Sequence, residues 1–326
     1  MKSYKKLLVG GAILGKILLK KRTPLLVSWV ITERCNYRCK YCSIWNKKVR
    51  DLDYQNVCAV IDKLSKWGTK AIAFIGGEPL LRDDIGKILK YCYQKGIYTK
   101  LTTNGSLISK KLDQIKDVGS VKLSFDGPKE VHDSNRQSGS YEHAIGAAEL
   151  LKKSKIKVIF NCVISKTNVE RLDYVLLIAA KLGIRVTFQP LEFRNDQDFI
   201  FDNMPSEAKY KKAINRLIYE KKRGNRYIAN SLPGLRYLYN WPHGKELKCW
   251  AGTLHFRIGP QGSFSACDRI PDGYLPFDIL KGDFKSALKG MRPPNCSQGC
   301  WRNTTIELNY LLSLHPLAIL NAVNVF

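Results

Sequence analysis

Six short apolar, β-branched runs along this chain each lead into a segment with helical spacing, and that alternation restricts the fold more than any other feature. The runs are Leu25–Thr32, Ala71–Ile75, Tyr98–Thr103, Val121–Phe125, Lys157–Ile164 and Arg185–Pro190. Between them lie Val57–Trp67, Ile85–Lys95, Ile108–Lys116, Tyr141–Lys153 and Val169–Leu182, and Glu207–Lys222 follows the last. Strand then helix, repeated, predicts an α/β fold with a parallel sheet and right-handed crossovers. Six such units either close most of a barrel or form an open doubly wound sheet. In both, ligands sit at the C-terminal ends of the strands, so chemically capable residues should fall just after them.

They do. Cys35-Asn36-Tyr37-Arg38-Cys39-Lys40-Tyr41-Cys42 follows the first run and Gly76-Gly77-Glu78-Pro79 the second. Thr102-Thr103-Asn104-Gly105 ends the third, Ser124-Phe125-Asp126-Gly127 the fourth, Asn161-Cys162 lies within the fifth, and Gln189-Pro190-Leu191-Glu192 closes the sixth. Three cysteines spaced three then two in one loop can aim three soft thiolates at one centre, which suits an iron–sulfur cluster or zinc. Structural zinc wants four ligands, and the nearest histidine in sequence is His132.

Composition narrows the class further. With 326 residues and 44% apolar content, neither global disorder nor a disulfide-stapled mini-protein is compatible with the chain. No run reaches the ~18 uncharged apolar residues of a spanning helix, Lys16 interrupting the only early candidate. The 54 Lys and Arg outweigh 28 Asp and Glu, a formal charge of +26 that favours an anionic partner without naming it. Part of the excess is N-terminal: residues 1–22 hold seven basic residues and no acid around Leu7–Leu19. This segment reads as a membrane-surface docking element or as a terminal helix packed on the body. A signal peptide fits less well, because no small-residue cleavage site follows. The basic run Lys209, Lys211, Lys212, Arg216, Lys221, Lys222 and Arg223 reads as a solvated helix face, and nucleic acid is not an expected partner.

The cysteine loop, with Tyr41 before its third cysteine, resembles the signature of radical S-adenosylmethionine (SAM) enzymes, and Gly76–Pro79 resembles that family's glycine-glycine-glutamate-proline step. The resemblance implies a partial six-unit (β/α) TIM-like barrel. It implies a [4Fe–4S] cluster on Cys35, Cys39 and Cys42, whose open iron chelates the amino and carboxylate groups of SAM. Reductive cleavage then yields methionine and a 5′-deoxyadenosyl radical that abstracts a hydrogen atom from substrate. By the same resemblance Gly76, Gly77 and Glu78 receive the methionyl amino group, and Ser124 and Arg136 hold the carboxylate. Thr102, Asn104 and Asp126 face the ribose, while Asn161, Val163 and Leu191 line the adenine. For each single position the alternative is a strand-end residue satisfying its own backbone.

Seven cysteines remain. Cys58, Cys92 and Cys162 lie within helical or strand patterns and read as small buried hydrophobes. Cys249, Cys267, Cys296 and Cys300 form a second set around an expected hairpin, His255–Ile258 and Ser263–Ala266, with Gly259-Pro260-Gln261-Gly262 as its turn. Zinc would satisfy four such ligands. The pattern also resembles the shortened, twitch-type version of the SPASM auxiliary-cluster domain, which implies a second, fully thiolate-ligated [4Fe–4S] cluster. The expected division is 1–24 basic segment, 25–225 barrel, 226–305 auxiliary domain and 306–326 apolar segment. In the last, Pro316 should kink or end any helix, which either covers the barrel or contacts a membrane.

No residue is singled out as the quencher of a substrate radical. The reading favours an unidentified substrate, lipid or membrane-linked, with a peptide or protein maturase as the alternative and a non-catalytic iron–sulfur electron carrier as the rival class. Reduced thiols and the resemblance imply a cytoplasmic enzyme, peripheral to the membrane if the basic segment docks, served by a low-potential donor such as flavodoxin or ferredoxin.

Overall fold

The computed structural model describes residues 22–325 apart from 47–48, 193–198, 245–246, 268–274 and 292–298. All six expected strands form: β1 Leu26–Thr32, β2 Ala71–Gly76, β3 Tyr98–Thr103, β4 Ser120–Ser124, β5 Val158–Ile164 and β6 Arg185–Pro190. They pair in parallel and in chain order, β6-β5-β4-β3-β2-β1. That order decides between the two expected architectures. A doubly wound sheet reverses its strand order midway to place helices on both faces. An unbroken order with right-handed crossovers keeps the helices on one face and curls the sheet into a partial barrel.

The crossovers carry α1 Tyr54–Lys66, α2 Ile85–Gln94, α3 Ile108–Lys111, α4 Lys129–Asn135, α5 Ser140–Lys153 and α6 Leu172–Leu182. Local chemistry sets their ends. Asp53 accepts the Asn56 N–H at 2.8 Å to cap α1, and α6 stops at Gly183 in the left-handed conformation, φ +61°. The expected helix Ile108–Lys116 is α3 followed by a 3-10 turn, Leu112–Ile115. Helix α4 leaves no signature in the sequence because seven residues are too few to display a period.

Period-two alternation assigns the two faces of each strand. On β4, Val121 and Leu123 are fully buried under the helices, whereas Lys122 and Ser124 turn to the concave side and are only partly covered. Trp29, Phe74, Phe125 and Phe160 anchor the core between sheet and helices, with the Phe125 and Phe160 rings stacked at 4.8 Å. Each such side chain contributes roughly 1.5–3 kcal/mol by leaving water.

After β6 come α7 Phe199–Asp202, α8 Glu207–Lys222 and α9 Leu232–Leu238. Helix α8 buries Tyr210, Ile214 and Leu217; Lys209 pairs with Glu170 and Lys211 with Glu207 on its outer side, whereas Lys221 turns in to the Ile228 carbonyl and Asn321 Oδ1. The expected hairpin forms as β7 His255–Ile258 and β8 Ser263–Ser265. It does not stand apart from the barrel. Strand β7 pairs in parallel with β1, and β9 Phe277–Asp278 completes one nine-stranded sheet. Without β7, the backbone groups along that side of β1 would form an open sheet edge.

The chain ends with α10 Phe284–Lys289, α11 Asn303–Leu312 and α12 Pro316–Val325. Pro316 opens α12, where its missing N–H removes no helical bond. Helix α11 buries Asn303, Ile306, Asn309 and Leu312 and covers the concave side of the barrel; α12 buries Ala318 but exposes Leu317, Ile319 and Leu320. The N-terminal segment 1–24 lies outside the described residues up to Arg22, whose Nε donates to the Gly252 carbonyl at 2.8 Å. Among the described residues no helix is long and apolar enough to cross a membrane.

Candidate active site

The three-cysteine loop leaves β1 at the C-terminal rim and is tied down on both sides. Lys40 N–H donates to the Asn135 carbonyl (2.9 Å), Asn36 Nδ2 to Ser106 Oγ (2.9 Å) and Tyr41 Oη to Asp126 Oδ2 (2.5 Å). Cys35, Cys39 and Cys42 are all half-buried. Burial pushes the Cys35 thiol up to about 11 and Cys39 to about 12, with the Arg136 charge opposing both shifts. Free thiols here therefore stay protonated, and a soft metal centre that displaces the protons would convert them to ligands.

Among the described residues no three His, Cys, Asp or Glu side chains are gathered to hold a single metal ion. A cubane makes a different demand, since each thiolate meets a different iron. Three thiols spread along one braced loop fit a [4Fe–4S] cluster with one open iron.

Beneath the loop, β2 ends in Gly76 and Gly77. Gly76 adopts φ +147°, and a β-carbon on Gly77 would lie 2.6 Å from the Arg34 carbonyl carbon, so the glycines bring β2 against the chain entering the thiol loop. Glu78 is the third residue of this step. It is fully buried, and its oxygens accept from Leu80 N–H (3.0 Å), Thr103 Oγ1 (2.8 Å) and Asn104 N–H (2.8 Å). Burial raises its pKa to about 7 against those hydrogen bonds. Both carboxylate oxygens are engaged in bracing β2 to β3.

Asp126 and Arg136, expected to face ribose and carboxylate separately, meet each other. Arg136 Nε donates to Asp126 Oδ2 at 2.7 Å and a terminal nitrogen to Oδ1 at 3.2 Å. Tyr41 and the Val163 N–H (3.1 Å) complete the Asp126 shell, and the Arg136 guanidinium lies over the Tyr41 ring at 5.6 Å. Burial disfavours the Asp126 charge, yet Arg136 and the hydrogen bonds hold its carboxyl below the usual range. This closed network orients Tyr41, and with it the third cysteine.

The other expected positions divide. Val163 and Leu191 touch in a small apolar cluster that Tyr41 and Met204 join, and Met204 had no sequence signal. Ser124 lies beside Asn161 across the β4–β5 pair, and Thr102 beside Lys122. Asn104 donates to Asn36 Oδ1 at 2.9 Å. Asn161 Oδ1 accepts from Thr187 Oγ1 (3.0 Å) and Asn303 Nδ2 (3.3 Å). In the second cysteine set, Cys249 is exposed and Cys267 and Cys300 are half-buried, with Cys300 N–H donating to Tyr237 Oη at 2.9 Å. Cys296 lies outside the described residues.

His132 is a further residue that sequence reasoning did not assign. It is fully buried, and its Nδ1 accepts the Asp126 N–H at 3.0 Å, which requires a neutral ring. Burial, then Arg136, push its pKa down to about 4. A folded pKa below the unfolded ~6.5 gives stability that is complete above that value and lost as pH falls toward 4. Roughly 2 kcal/mol should be gone by about pH 5. Urea unfolding near neutrality and near pH 5 should show this drop, and His132→Asn, which keeps an acceptor without a titrating ring, should flatten it. Equal slopes in the two proteins would refute the assignment.

A profile of the Radical SAM superfamily matches residues 29–179, spanning β1 through α6. The chain is 27% identical over 300 residues to the mycofactocin maturase MftC of Mycolicibacterium smegmatis, covering 85% of this chain and 74% of that protein. It is 26% identical over 292 residues to the PqqA peptide cyclase of Ruegeria pomeroyi, covering 82% and 76%. Two further curated relatives align with this chain over 166 and 168 residues, 41% and 48% of their own length. The fold is similar to that of Streptococcus suis SuiB bound to S-adenosylmethionine, with a TM-score of 0.69 at 16% identity over 89% of this chain and 71% of that one. Residues 29–179, the part of the barrel that carries the thiol loop, are a Radical SAM superfamily domain.

Proposed function

We propose that the chain generates a 5′-deoxyadenosyl radical at its rim and directs it at a peptide. The carrying observation is the half-buried, braced triad Cys35, Cys39 and Cys42 against the glycine step of β2. Cys35, Cys39 and Cys42 would hold a [4Fe–4S] cluster there, which would supply the electron that splits bound SAM. The chain's own work is placement. Gly76 and Gly77 leave backbone room beside the loop, Ser124 and Thr102 stand on neighbouring strands, and Val163, Leu191, Tyr41 and Met204 offer an apolar surface to a flat base. Helix α11 closes the concave side and limits water access to a reactive radical.

A peptide substrate takes precedence over the lipid-linked one because the PqqA peptide cyclase, a relative matched over most of the chain, is named for a peptide. Cys249, Cys267, Cys300 and Cys296 would hold a second cluster or zinc, and a low-potential flavodoxin or ferredoxin would supply electrons. Anaerobically reconstituted protein, given dithionite and SAM, should form 5′-deoxyadenosine. Iron-loaded protein that forms none would sink this reading.

A further inference from the structure

The charged group on the concave face of β4 is Lys122, and nothing in the cofactor reading uses it. Its Nζ donates to two neutral oxygens supplied by α11, Asn303 Oδ1 at 3.2 Å and Thr304 Oγ1 at 2.9 Å. Among the described residues no carboxylate pairs with it. The acid whose charge reaches it, Glu307, already accepts the Ser231 N–H at 2.9 Å. Thr102 is the register partner of Lys122, so Lys100 lies one inward position deeper on β3 and adds a like charge. Asn303 and Thr304 begin α11, so the positive end of that helix dipole faces the same ammonium. Burial, then Lys100, push the Lys122 pKa down to about 7. A half-buried cation with this surround is a standing cost to the fold unless a ligand completes it.

Position adds the second part of the argument. Lys122 lies one inward step below Ser124, about 7 Å along the strand, and Ser124 is level with Asn161 at the rim. An anion held by Lys122 would leave the atoms attached to it directly beneath the rim, where a hydrogen atom would be taken. Two of the three ammonium protons are engaged by Asn303 and Thr304. The one remaining suits a singly charged carboxylate better than a phosphate, which calls for several donors. We propose that Lys122 anchors a carboxylate of the substrate inside the barrel, either an acidic side chain or a C-terminus.

This rests on the reading as a peptide-modifying radical enzyme, and the test separates the two. Reconstituted protein with SAM bound is titrated calorimetrically with three probes. N-acetylglutamate α-amide has only the side-chain carboxylate, N-acetylglutamine only the terminal one, and N-acetylglutamine amide has neither. One charged probe should bind, identifying the source of the carboxylate, and the neutral one should bind about tenfold to a hundredfold more weakly. Lys122→Met should erase that preference and Lys122→Arg should keep most of it. Because Lys122→Met removes an uncompensated charge, its melting temperature should hold or rise.

Indistinguishable charged and neutral probes across the millimolar range would overturn the proposal. So would a lower melting temperature for Lys122→Met, or a loss of SAM affinity in place of probe affinity. Formation of 5′-deoxyadenosine by the wild type is scored separately: its absence removes the radical-enzyme reading, whereas its presence with indifferent probes removes only the carboxylate anchor.

Discussion

Cys39→Ala should yield a folded protein that has lost the iron of its three-cysteine site, the visible charge-transfer absorbance that iron carries and its ability to form 5′-deoxyadenosine. The loop does not need the Cys39 thiol for its shape. Its path is set by Lys40 N–H on Asn135, by Asn36 on Ser106 and by Tyr41 on Asp126, all independent of that sulfur. Trimming one half-buried thiol should therefore change stability by no more than about 1 kcal/mol. The chemistry depends on it far more. A thiol pushed up to about 12 by burial is almost wholly protonated near neutrality, so its worth lies in the thiolate that a bound cluster would stabilise.

Removing one of three ligands should lower cofactor cleavage by about a thousandfold or more, equivalent to about 4 kcal/mol on the barrier. Cys58→Ala, on α1 and outside the loop, is the control and should keep both iron and product. Iron per chain, visible spectra and chromatographic detection of 5′-deoxyadenosine measure all three effects. A Cys39→Ala protein with wild-type iron and product would place the reactive centre elsewhere.

The strand ends are legible in the sequence because two local signals coincide there: period-two alternation marks where a strand stops, and glycine or polar residues mark the turn beyond it. The runs Tyr98–Thr103 and Arg185–Pro190 match β3 and β6 to the residue for that reason. The hidden features depend on partners distant in sequence. Nothing near β1 announces that His255 will pair beside Leu26. Nothing near Lys122 names Asn303, 181 positions away. Nothing near Glu78 in the sequence names Thr103 and Asn104, which the return of β3 beside β2 brings to its carboxylate. The Asp126–Arg136 pair is a subtler case. Both residues stand out as functional in the sequence, but their mutual neutralisation depends on the path of α4, which is too short to be seen beforehand. Lys122 does leave a trace, a lysine at an inward-facing position of an otherwise regular strand.

Gly77→Ala should be a strongly disruptive single-methyl change in the barrel, for reasons separate from conformational preference. A β-carbon at Gly77 would lie 2.6 Å from the carbonyl carbon of Arg34 and 2.7 Å from the oxygen of Glu33, and closer still to the Arg34 oxygen. All of these are backbone atoms, so no side chain can rotate aside. The same few residues are laced together by Gly77 N–H on Thr32 O (2.9 Å) and Glu78 N–H on Arg34 O (2.8 Å). Relief of the clash must therefore move Arg34, and Cys35 is the next residue. The expected loss is roughly 3 kcal/mol of stability, with reduced iron loading because the first thiol is displaced. Gly146→Ala provides the opposite case. That glycine lies inside α5 with nothing within 4 Å of the point its methyl group would occupy, so alanine should stabilise by up to about 1 kcal/mol through helix propensity. Urea midpoints of the two variants should thus move in opposite directions, and only Gly77→Ala should lose iron. A Gly77→Ala protein as stable and as iron-rich as the wild type would mean that the rim does not rest on this backbone contact, and the bracing assigned to the β2 terminus would fall with it.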